Sequence, residues 1–95
     1  MINDSDSFLP SDNNLCVFKS NDDILILIYA KKNCSIISYN LINNQIIIEI
    51  KNAHNDYISN FRHYMDNINK RDFILSLSPI DNNIKLWNIK NWNWL

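Results

Sequence analysis

The chain has 95 residues, a hydrophobic fraction of 46% and a formal net charge of -1. This length suits one small domain or part of a larger one, and a lone domain of this size is of modest stability. No run of basic residues builds the electrostatic footprint that nucleic acid or an anionic membrane needs.

The longest apolar run, residues 24–30, is too short to span a bilayer. The first residues carry no basic region followed by an apolar one, so they do not read as a secretory signal. Cys16 and Cys34 form no Cys-x-x-Cys pair. Both are expected to be free thiols in a reducing, intracellular setting. Asn occurs 18 times and Ile 17 times, while Gly is absent. Turns that need a positive φ must then fall on Asn or Asp, the residues after Gly that tolerate it best. Asn43-Asn44 and Asn82-Asn83 stand where such turns are expected.

Residues 1–14 are polar and acidic, with Phe8-Leu9-Pro10 as their one apolar patch, and read as a disordered tail. Residues 15–19 form a candidate strand, and 20–23 a turn by composition. Residues 24–30 are continuously apolar and isoleucine-rich, which suits a strand buried on both faces. After a turn at 31–34, residues 35–41 alternate, with Ile37, Tyr39 and Leu41 on one face. Residues 45–51 alternate again and place Ile46, Ile48 and Ile50 together. Four strands joined by short connections make an antiparallel meander.

Residues 52–56 are a polar connection. In residues 57–68, Tyr57, Ile58, Phe61, Tyr64, Met65 and Ile68 also fit a helical period. That spacing admits an α+β alternative with a helix over 57–68. Continued meander instead predicts a strand over 57–65 and a long loop over 66–72. An apolar strand over 73–78 follows, then a polar turn, a strand ending in Trp87-Asn88, and the start of another strand at 92–95.

Asp81-Asn82-Asn83-Ile84-Lys85-Leu86-Trp87-Asn88, with the serine-containing run before it, closely resembles the end of a WD40 repeat, with Asn88 at the final Asp. Ile36-Ile37-Ser38-Tyr39-Asn40 lies over Ile84-Lys85-Leu86-Trp87-Asn88 at an offset of 48 residues, slightly longer than the ~40–45 of that family. His54 falls where the family has Gly-His, with Ala53 replacing Gly. The resemblance implies an all-β chain of antiparallel four-stranded blades from a WD40-type β-propeller, incomplete at about two blades. Residues 15–51 would be the first blade and 52–95 a second repeat cut off in its last strand. It also implies a structural hydrogen-bond network of His54, a strand serine, Asp81 and Trp87. The length of the 78–81 turn leaves both Ser76 and Ser78 as candidates for that serine.

His54, Ser78 and Asp81 taken by type alone also suggest a hydrolase triad. The chain has no glycine for a nucleophile elbow or an oxyanion turn. Cys16, Cys34, His54 and His63 match the spacing of no common zinc module. Trp87, Trp92 and Trp94 serve either as packing or as an aromatic contact surface, and Tyr57, His63 and Tyr64 carry the same two readings. The expectation is therefore a non-enzymatic scaffold fragment without cofactor. Its partners would be other proteins, further copies of itself or other blades, since about three repeats are usually needed for a stable stack.

Overall fold

The computed structural model describes residues 15–92. Seven strands follow one another: β1 (Leu15–Lys19), β2 (Leu25–Ala30), β3 (Ile36–Asn40), β4 (Gln45–Ile50), β5 (Asn60–Asp66), β6 (Arg71–Ser78) and β7 (Asn83–Asn88). The described residues are all-β and contain no helix. They form two antiparallel sheets, ordered β1-β2-β3-β4 and β5-β6-β7, in which every pairing joins consecutive strands. The two sheets do not close into a barrel or ring among these residues.

The ambiguous segment is a strand. Its helical period was fortuitous, because Ile68 and Tyr64, two of the residues that set it, are exposed. The long loop expected over 66–72 does not exist. The Asp66 carboxylate accepts from the backbone N–H groups of Ile68 and Asn69 at 3.1 and 3.3 Å. That tightens the reversal enough for Arg71 to pair opposite Asp66. Residues 57–59, expected in the strand, precede it, and Ile58 is buried in the core.

One face of the first sheet packs on one face of the second. Phe18, Ile26, Ile28 and Ile36 meet Ile58, Phe61, Ile74 and Trp87 in a single apolar cluster. The other face of the first sheet carries Leu27, Tyr29, Ile37 and Tyr39, with Leu41 packed beside them. The continuous apolar run of β2 thus serves both faces. The sheets approach each other through β1 and β5.

Ile46, Ile48 and Ile50 do not share a face. Ser38 pairs with Ile48 but Tyr39 pairs with Ile46, which leaves Ile47 as an extra residue. This bulge sends Ile46 to the side of Tyr39 while Ile48 and Ile50 support the inter-sheet core. Perfect alternation in the sequence concealed it.

Each of the five described hairpin reversals contains one residue with positive φ, Asp23, Cys34, Asn44, Lys70 and Asn82, and two more, Asn52 and Trp92, lie in the β4–β5 connection and after β7. Asn44 and Asn82 lie in the two Asn pairs singled out above. Cys34, Lys70 and Trp92 are residues for which the left-handed region is less favourable, and turn geometry imposes it on them. The reversal at Lys31 has the Cys34 N–H on the Lys31 carbonyl and the Lys31 N–H on the Ser35 carbonyl, both at 3.0 Å. The same pair of bonds joins Ser20 to Asp23 and Ile24. The polar tail over 1–14, Trp94 and most of the last expected strand lie outside the described residues. Trp92 itself is not in a strand.

Candidate functional site

The polar residues singled out in the sequence converge at the top of the second sheet's packed face. Ser76 lies in the middle of β6, opposite Phe61 on one side and Lys85 on the other. Trp87 is two residues beyond Lys85, so alternation puts its indole on the same face as Ser76. The Trp87 Nε1–H donates to Ser76 Oγ at 2.8 Å. His54, in the connection between β4 and β5, places Nε2 2.7 Å from the same oxygen. An indole N–H can only donate. The Ser76 hydroxyl therefore accepts from Trp87, and its own proton can go to His54 Nε2 or to the Lys85 carbonyl 3.5 Å away, according to the imidazole tautomer.

His54 Nδ1 faces Asp81, with 4.0 Å to Oδ2, so the carboxylate is a neighbour but not a direct hydrogen-bond partner. Asp81 Oδ2 instead accepts the Asn55 N–H at 2.9 Å. Ala53, next to His54, is tied by its N–H to the Cys34 carbonyl and by its carbonyl to Lys85 Nζ at 2.6 Å. The connection expected to be merely polar is thus an anchored segment with Ala53 and His54 both buried.

Burial and, second, the Lys85 cation push the His54 pKa down; Asp81 opposes them. The imidazole is accordingly neutral at pH 7. Burial works to raise the Asp81 pKa, but hydrogen bonding from Asn55, the neighbouring Ser78 hydroxyl and the nearby His54 outweigh it and the net shift is downward. Ser78, the other candidate serine, is fully buried and its Oγ makes no hydrogen bond of good geometry. Ser76 is the serine that His54 and Trp87 share, and it too has no exposed surface.

The candidate zinc residues are not gathered. Among the described residues, no three His, Cys, Asp or Glu side chains are placed to hold a metal ion. Burial raises the pKa of both Cys16 and Cys34, which keeps them as thiols.

A second polar group was not foreseen. His63 Nε2 lies 2.7 Å from Asp72 Oδ1, and Asp72 Oδ2 accepts the Asn21 N–H at 2.8 Å. Phe18 stacks on His63 with centroids 3.9 Å apart and planes 11° from parallel. Asp72 thereby joins the β1–β2 turn to the second sheet. The signal was weak: an acid at a strand start reads as part of a loop, and only pairing of β5 with β6 brings it beside His63.

The second sheet also has an outward face. Leu75 pairs with Leu86, and Leu77 with Ile84. Tyr64 and Phe73 continue it, with ring centroids 6.3 Å apart. No described strand packs over this face, and Tyr64 and Ile84 are each 61% exposed. Trp87 and Trp92, by contrast, are core residues.

No helix among the described residues is long and apolar enough to cross a membrane. No protein-family profile, curated protein or solved structure matches the chain.

Proposed function

We propose that the chain is a pair of WD40-type repeat units that acts as a non-enzymatic scaffold for protein–protein contact. The carrying observation is the His54–Ser76–Trp87 hydrogen-bond network. The β4–β5 connection and the β6–β7 hairpin meet on one hydroxyl that solvent does not reach. Such an arrangement stiffens a sheet, because each buried polar group would be costly without its partner. It offers a reacting carbonyl no access to the serine. Asp81 fits the same role through its bond to Asn55, holding the His54 connection against the β6–β7 turn.

The scaffold part of the reading is supported by the uncovered apolar face of the second sheet. Ile36 and Ser38 of β3 correspond by the 48-residue offset to Ile84 and Leu86 of β7. The first pair faces the inter-sheet core, whereas the second pair faces outward. A further sheet or a partner protein would complete on β7 the contact that β3 already makes.

His54→Ala tests the network. The variant is expected to lose about 1–3 kcal/mol of stability, because Ser76 keeps its burial and loses a hydrogen-bond partner. It is expected to leave any background hydrolysis of p-nitrophenyl acetate unchanged. Esterase activity in the parent chain that disappears in a folded His54→Ala variant would replace the scaffold reading with a hydrolase.

A further inference from the structure

A cleft of about 340 Å³ opens where the β1–β2 turn, the β5–β6 turn and the segment after β7 come together. Cavities of roughly 300–1,000 Å³ hold small ligands. The wall is apolar, formed by Ile24, Ile26, Ile47, Ile89 and Trp92. Its inner end is at Ser38, which pairs with Ile28 on one side and Ile48 on the other. A serine among isoleucines on a packed face leaves room that a larger side chain would fill. Its fully buried Oγ has no hydrogen-bond partner.

The rim is polar and its charge is unbalanced. Lys70, Arg71 and Lys90 stand there with Asp22 and Asp72. Asp72 is engaged by His63 and the Asn21 N–H, and Arg71 by Asp66, while Asp22 has no ion pair among the described residues, so two unpaired cations face one unpaired carboxylate. Neither Lys70 nor Lys90 has an ion-pair partner among the described residues. Two walls of the cleft also hold costly backbone: Lys70 has φ 55° and Trp92 φ 56°. Residues kept in the left-handed region without glycine recur at ligand sites.

We propose that this cleft binds an apolar acid, with an alkyl or aryl group against Ile26, Ile89 and Trp92 and one carboxylate between Lys70 and Lys90. The ligand's apolar part matches the wall and its single negative charge matches the unpaired rim. Two sources share that chemistry: a free small acid, and the carboxyl end of a polypeptide whose last residue is apolar. The inference does not rest on the repeat reading.

The test is a titration of the full 95-residue chain with 4-phenylbutyrate, followed by the Trp92 indole N–H resonance, which Trp92→Phe assigns. Saturable binding is expected, with the uncharged 4-phenylbutanamide at least about tenfold weaker. Lys70→Asn combined with Lys90→Glu is expected to weaken the acid about tenfold while the melting temperature holds, since both side chains are exposed. Ser38→Val, which suits a strand and narrows the inner end, is expected to abolish saturation. Should that variant fail to fold, the rim double variant decides. A blocked pentapeptide ending in a leucine carboxylate separates the sources: binding tenfold tighter than 4-phenylbutyrate assigns a chain terminus, and weaker binding a free acid. No saturable shift with either probe, equal binding of acid and amide, or no effect of the rim variant would overturn the proposal.

Discussion

At His54 burial and the Lys85 cation act together against the Asp81 carboxylate, and they prevail. The native chain keeps this imidazole neutral below the 6.5 of an unperturbed histidine. Between that lowered value and 6.5 the unfolded chain binds a proton that the native chain does not, so stability falls as pH drops through this window. Thermal melts of the parent chain between pH 7.5 and pH 5 should show a decline that is smaller in His54→Ala. A pH dependence that is the same in both would place the acid sensitivity elsewhere. The identities of His54, Ser76, Asp81 and Trp87 were legible as a group from their order along the chain. The choice of Ser76 over Ser78 was not, because both serines alternate onto the face of Trp87 and only the register of β6 with β7, which sets Ser76 opposite Lys85 and Ser78 opposite Asn83, decides which of them lies beside the indole. The His63–Asp72 pair was hidden for the same kind of reason.

The strands themselves were readable because their apolar runs are short and bounded by Asn, Asp and Lys. Departures arose where a single local hydrogen bond or one extra residue decides the geometry. The Asp66 carboxylate closed a turn that composition presented as a loop, and hydrogen bonding first from Asn69 and then from Arg71 lowers its pKa to about 2. The extra residue Ile47 turned Ile46 to the other face without disturbing the alternation seen in sequence. Turn conformation was legible only at the Asn pairs. Cys34 adopts φ 68° although no feature of cysteine favours it, and its backbone is fixed by the Lys31 and Ala53 hydrogen bonds. Cys34→Gly should therefore relieve the left-handed penalty and add about 1 kcal/mol. Measured by thermal melting, this is a rise of roughly 4–8 °C for a domain of this size. An unchanged or lower midpoint would mean that the Cys34 side chain contributes packing of at least equal worth.

For the molecule as a whole, the two sheets stack with unlike faces together. The first uses the face of Ile36 and the second the face of Trp87. The opposite end of this stack, the Leu27, Tyr29, Ile37 and Tyr39 face of the first sheet, is already buried, so a further copy can add only at the other end. The outward face around Ile84 and Leu86 should be the growing end. Light scattering after size exclusion should give the parent chain a mass above that of one copy, and Ile84→Asp should return it to a single copy while the fold is kept. A monodisperse single copy for the parent at tens of micromolar would remove self-association from the reading and leave a different protein as the partner. The composition carried no sign of which face would be covered, since both faces of each sheet are apolar in sequence.

The chain-consecutive pairing of all seven strands also has a consequence in time. Every ladder can zip from its own turn, so neither sheet needs a distant partner to begin. The bonds that cross between them, such as Asn21 to Asp72, span 51 residues and become possible only when both sheets exist. Folding is thus expected to run from hairpins to docking. Asp72→Ala should then speed unfolding while hardly slowing folding, and a φ-value near one at Asp72 would instead put docking before the sheets are formed.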